Sequence, residues 1–232
     1  MAEPRDERLL GINTQIIMTT GDDCVIFVDV DTQRDFLDPE GALYVPDSVA
    51  IRPNLARLTA YARNRAIPVI ATACAHLPGD PELKAFPPHC MVGTRGQTRI
   101  DETSRPDSRI LGPDALFAEP RLPAHLTVEK REYDVFSHPS MNWTVETATV
   151  HSDAIFVVYG VATDYCVGCA ARGLLERGCR VLLVVDAIRG IDQERETEVL
   201  TDLVSRGATL ALTAAVCDDS DTRHRPSLHD AG

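Results

Sequence analysis

Short apolar runs separated by amphipathic stretches set the pattern of the chain. VIFVDV (25–30), IPVIATA (67–73), HLTVE (125–129), AIFVVYG (154–160), RVLLVVD (180–186) and ATLALT (208–213) are rich in β-branched residues and read as strands. Several are apolar almost throughout, the mark of strands covered on both faces. Between them, residues 48–66 place Val49, Leu55, Leu58, Tyr61 and Ala62 at helical spacing, and further helices are predicted over 140–150, from Thr163 to Gly178, and over 192–206. Strands alternating with helices predict a single-domain, three-layer α/β/α fold with a six-stranded, mostly parallel sheet and right-handed crossovers. The domain spans 21–215, between an N-terminal arm (1–20) and a mobile C-terminal tail (216–232). Residues 74–113 are polar and rich in Pro and Gly, and a connection this long in a compact domain is usually functional.

In a parallel sheet the residues just past the strand ends share one crevice, where such folds bind ligands. That rule collects Asp31 after the first strand, Cys74 and His76 after the second, Lys130 after the third and Cys166 after the fourth. Gly160 breaks the fourth strand, and Thr163 or Asp164 can cap the helix that follows. Cys166 then falls in the first turn, where the helix dipole favours a thiolate. Each residue alone has an ordinary reading: Asp31 as a turn cap, Lys130 as a solvated charge, Cys166 as a buried structural thiol. Their common position favours a cysteine nucleophile served by an acid and an ammonium. Cys166-Val-Gly-Cys169 also has the form of a redox dithiol, but that reading leaves Asp31 and Lys130 unexplained. A non-catalytic binding scaffold would have no need of the charge-matched trio.

Composition narrows the setting. The chain has 232 residues, 44% hydrophobic and 25% charged, which is ordinary globular composition. A formal net charge of −12 argues against nucleic acid and against anionic membranes, since no basic surplus exists to meet phosphates. No apolar run approaches a membrane span, and MAEPRDERLL lacks a signal-peptide core. Seven scattered cysteines fit reduced thiols in a cytoplasmic protein better than a disulfide scaffold.

Four blocks carry a resemblance. VDTQRDF (30–36), PELKAFPPHCMVGT (81–94), EKREYDVF (129–136) and GVATDYCV (160–167), in this order, resemble the isochorismatase-like cysteine hydrolases, and among them the nicotinamidases. The resemblance implies a catalytic triad of Asp31, Lys130 and Cys166, and a cis peptide between Val161 and Ala162. With that bond cis, the Ala162 and Cys166 N–H groups would form an oxyanion hole. It further implies a divalent metal held by Cys74, His76, Glu82 and His89, with Cys74 standing where the family has Asp. Cysteine and imidazole donors favour zinc. Phe36 and Phe86 would flank an aromatic substrate. The activity implied is hydrolysis of a small amide: nicotinamide first, with carbamoyl-sarcosine, maleamate or ureidoacrylate-type compounds as alternatives. Family members often form homo-oligomers through helix faces.

Overall fold

The computed structural model describes residues 24–150 and 153–218. The N-terminal arm and most of the C-terminal tail lie outside them. Among the described residues seven strands form one sheet: β1 (Val25–Val30), β2 (Val69–Cys74), β3 (Arg109–Leu111), β4 (His125–Lys130), β5 (Ile155–Val161), β6 (Arg180–Arg189) and β7 (Thr209–Ala211). Their order is β3-β4-β2-β1-β5-β6-β7, and every pairing is parallel. The expected six strands are corrected to seven. The additional one, β3, is a three-residue edge strand with Arg109 and Ile110 exposed, too short for a period to show against its polar surroundings.

The helices are α1 (Arg34–Leu37), α2 (Arg52–Asn64), α3 (Met141–Thr149), α4 (Gly168–Glu176), α5 (Gln193–Ser205) and α6 (Thr213–Val216). Val216 thus ends a helix, and Cys217 after it is buried. From β1 the chain builds the sheet to one side through β2 and β4, then returns to the other side of β1 with β5, β6 and β7. Right-handed crossovers put α2 on one face and α3, α4 and α5 on the other. Packing agrees: α2 meets α6, whereas α4 meets α5, and both groups touch β6. The direction of growth reverses between β1 and β5, so the crevice opens beyond their carboxyl ends. All seven residues of β5 are buried, as are Ile26–Val30 of β1, and this apolar centre fixes where those ends point.

The two central strands approach very closely. Gly160 on β5 has φ +120°, and a Cβ there would lie 2.0 Å from the Val30 carbonyl oxygen. Only glycine fits.

Candidate active site

Asp31 follows β1 with φ 47°, a left-handed conformation that turns its side chain back into the crevice. It is wholly buried. Its Oδ1 accepts a 2.5 Å hydrogen bond from Thr72 Oγ1, and its Oδ2 lies 2.9 Å from Lys130 Nζ. Lys130, the last residue of β4, is buried as well, and its ammonium also donates to Cys166 Sγ (3.4 Å) and Cys74 Sγ (3.3 Å). The three residues expected to form a triad therefore meet around one ammonium, and Cys74 joins them.

Burial works to raise the Asp31 carboxyl, but the Lys130 charge and the hydrogen bonds from Thr72, Lys130 and Cys166 prevail and hold it below the usual carboxylate range. Burial works against the Lys130 charge, yet Asp31 and the two thiols drive its pKa well above the lysine range. The Cys166 thiol goes the other way. Its hydrogen bond with Cys74, burial and the Asp31 carboxylate raise it well above the ordinary thiol value, although Lys130 opposes them. These directions run against the thiolate that the helix terminus would favour: the surroundings favour charge on Asp31 and Lys130 and disfavour it on the Cys166 sulfur.

Cys166 lies within a π-helical turn, Thr163–Val167, that precedes α4. Neither Thr163 nor Asp164 caps a helix, because both already lie inside that turn. Thr163 Oγ1 donates to Glu196 Oε1 (2.9 Å), and the Asp164 carboxylate accepts the Ile191 and Asp192 amides (3.0 Å each), which ties the turn to the start of α5. The Val161–Ala162 peptide is cis, as expected, and the Ala162 carbonyl accepts the amides of Tyr165 and Val167 on either side of Cys166.

The second cluster adjoins the first. One ligand atom each from Cys74, His76, Glu82 and His89, all buried, lies within 4.8 Å of the others. His89 Nδ1 is 2.8 Å from the Pro87 carbonyl and His76 Nδ1 is 3.3 Å from Asp80 Oδ2. A carbonyl and a carboxylate only accept, so both Nδ1 atoms carry a proton, which leaves both Nε2 atoms free to act as ligands. Those atoms face Glu82 Oε1 at 3.4 Å (His89) and 3.7 Å (His76). Burial depresses the His76 pKa despite Glu82 and keeps the ring neutral. His76 Nε2, His89 Nε2 and Glu82 Oε2 are buried with no hydrogen-bond partner. Three partnerless polar atoms converging on one buried space fit a cation, and the sulfur and imidazole donors suit zinc.

Phe36 is buried with its ring 5.4 Å from that of His89, and Phe86 approaches His89 (6.3 Å), Tyr133 (6.1 Å) and Tyr165 (5.3 Å). The two tyrosines stand in the quoted sequence blocks, but nothing in the pattern marked them as part of an aromatic wall. Sequence reasoning also passed over the scaffold beneath Asp31. Gln33 is buried and brackets Cys74, donating to its carbonyl (2.8 Å) and accepting from its amide (2.7 Å). Asp29 forms a buried ion pair with Arg99, which also donates to the Thr72 carbonyl (3.1 Å). Asp35 accepts the Cys90 amide (2.6 Å). Asp29 and Asp35 thus hold loops in place.

Against known proteins, the isochorismatase domain model matches residues 24–215. The chain belongs to the isochorismatase family. Among solved structures it is similar to the pyrazinamidase of Pyrococcus horikoshii in complex with zinc, at 24% identity over 82% of this chain and 99% of that one, with a TM-score of 0.67. Nicotinamidase from Bacillus subtilis is 20% identical over 81% and 99%, with a TM-score of 0.68. N-carbamoylsarcosine amidase from Thermoplasma acidophilum is 26% identical over 82% and 96%, with a TM-score of 0.63. No curated protein matches the chain. Family membership makes it a hydrolase of the isochorismatase type. Among the described residues no helix is long and apolar enough to cross a membrane.

Proposed function

We propose that the protein is a cysteine-dependent amidohydrolase that cleaves a small carboxamide, nicotinamide to nicotinate and ammonia, through a thioester on Cys166. One observation carries this reading: a single buried ammonium, Lys130, binds both the carboxylate of Asp31 and the sulfur of Cys166. Asp31 is a carboxylate at rest and Cys166 a thiol, so proton transfer to Asp31 generates the nucleophile when substrate arrives, with Lys130 stabilising the sulfur charge. The thiolate attacks the amide carbon, and the developing oxyanion is met by the N–H groups of Ala162 and Cys166. Protonated Asp31 then gives its proton to the departing ammonia. Water, deprotonated by Asp31, hydrolyses the thioester and restores the thiol.

Phe36 and Phe86, with Tyr133 and Tyr165, are the aromatic surfaces for a flat ring. Cys74, His76, Glu82 and His89 would hold a divalent cation, zinc by donor type, which when bound supplies a Lewis-acid anchor for a ring nitrogen. Seven scattered free cysteines support a cytoplasmic setting, and the proposed protein acts on a small-molecule amide as a homo-oligomer. Hydrolysis of another amide or carbamoyl compound is the second reading. It is favoured by Cys74, whose sulfur also accepts from Lys130 and so is shared between the ammonium and the histidine cluster.

Ammonia release from a panel of small amides, with zinc, manganese or chelator, tests both readings. Nicotinamide turns over, and Cys166→Ala loses at least roughly 10³-fold in rate while keeping its circular dichroism spectrum. Nicotinamide inert under every metal while another amide reacts would remove the substrate assignment. An active Cys166→Ala would remove the cysteine mechanism.

A further inference from the structure

Two thiols, not one, lie against Lys130. Cys74 ends β2 and Cys166 follows β5, and these strands flank β1 on opposite sides. Their sulfurs and an Asp31 carboxylate oxygen lie within 4.8 Å of one another, and the Lys130 ammonium donates to both sulfurs. We propose that Cys74 and Cys166 form an oxidisable pair, a modification site at which a hydroperoxide converts the nucleophile to a reversible Cys74–Cys166 disulfide. This rests on the two thiols alone and not on the amide assigned above.

The C-x-x-C spacing nominates Cys169 as the partner of Cys166. The fold nominates Cys74 instead, because its sulfur shares the ammonium with Cys166 and lies within 4.8 Å of the Cys166 sulfur. A disulfide needs the sulfurs at about 2.05 Å, so the two must close by under about 3 Å. Cys166 is only 6% exposed, so the oxidant proposed is a small one.

The chemistry closes in two steps. Cys166 gives its proton to Asp31, and the sulfur attacks the peroxide. The O–O bond breaks, the departing oxygen takes the proton back from Asp31 as water or an alcohol, and Cys166 becomes a sulfenic acid. The Cys74 sulfur then attacks the Cys166 sulfur. The S–O bond breaks, and the hydroxide leaves as water with the Cys74 proton. Two thiols lose two electrons and one peroxide gains them. Lys130 stabilises each sulfur as it becomes anionic. The bond withdraws the nucleophile and removes one donor from the His76–Glu82–His89 cluster, in a form that a thiol reductant reverses.

The test is peptide mapping by mass spectrometry after the purified full chain meets stoichiometric hydrogen peroxide and is then unfolded and alkylated. The expected product is a cross-linked pair of peptides containing Cys74 and Cys166, two hydrogen masses lighter, with two of the seven thiols lost from titration and both regained in dithiothreitol. Cys169→Ser gives the same link. Cys74→Ser gives none, and its Cys166 gains two oxygens as a sulfinic acid that dithiothreitol does not reverse. A Cys166–Cys169 link, direct over-oxidation of Cys166 in the unmodified chain, or no change in mass would each overturn the proposal. The unmodified chain alone decides, so the outcome does not depend on whether Cys74→Ser folds. Ammonia release by the reduced protein is a separate measurement and stands or falls by itself.

Discussion

Two buried polar clusters sit side by side at the carboxyl end of the sheet, share Cys74, and follow opposite rules. Around Lys130 the polar atoms are matched: carboxylate against ammonium, hydroxyl against carboxylate, N–H against sulfur. Around Glu82 they are not, because two imidazole nitrogens approach a carboxylate without hydrogen-bonding to it and three buried atoms are left without partners. An unpaired buried polar group costs about 1–3 kcal/mol, so three in one place are sustained by something that binds all of them. The first cluster is complete as protein. The second has the form of a receptor for positive charge.

The contrast can be broken most forcefully at Lys130. Lys130→Met leaves the Asp31 carboxylate buried without its counter-charge and lowers stability by about 3–5 kcal/mol. Urea denaturation reads this, and a double variant with Asp31→Asn should recover most of it. Equal stability of Lys130→Met and the unmodified chain would show that the first cluster does not depend on its charge pair.

A buried histidine outside both clusters gives the next comparison. His125 on β4 is 3% exposed and has its own partner, Ser108 Oγ at 2.8 Å. Burial, together with the nearby Arg99 and Arg105 charges, depresses its pKa from 6.5 to about 4. The unfolded chain therefore binds a proton that the folded chain refuses between those values. Stability falls as pH drops through this window, by up to about 3 kcal/mol. Melting curves of His125→Asn should lose that part of the slope, and an unchanged slope would locate the proton uptake elsewhere.

Zinc gives the smallest of the three effects and sharpens the second cluster most directly. At a hundredfold excess over its Kd, zinc should stabilise the fold by about 2.7 kcal/mol, with manganese weaker for want of sulfur affinity. Glu82→Gln should remove most of the gain in a thermal melt. Stabilisation that survives in Glu82→Gln would place the metal elsewhere.

How much of this was legible in the sequence depended on period. Strands such as 25–30 and 155–161 declare themselves by unbroken apolar content, and knowing where they end places Asp31, Lys130 and Cys166 together. The edge strand at Arg109–Leu111 has no period to read and was missed. Thr72 is the polar position in an otherwise apolar strand, a signal that could have marked it as a contact to Asp31. Arg99 carried none, because its partner Asp29 lies seventy residues away in sequence and is chosen only by the folded chain. The strand-end rule puts Cys74 in the shared crevice, and the resemblance makes it one ligand among four. That its sulfur also faces Lys130 follows from the register of β2 against β4, which sets Cys74 opposite Lys130.

Gln33 and Arg99 clip the two ends of the segment that carries His76, Glu82 and His89: Gln33 grips Cys74 where it leaves the sheet, and Arg99 anchors its return beneath β1. The segment is therefore a cassette with its own fasteners. Transplanting it into a relative, or receiving one from it, requires moving those two side chains along with the histidines.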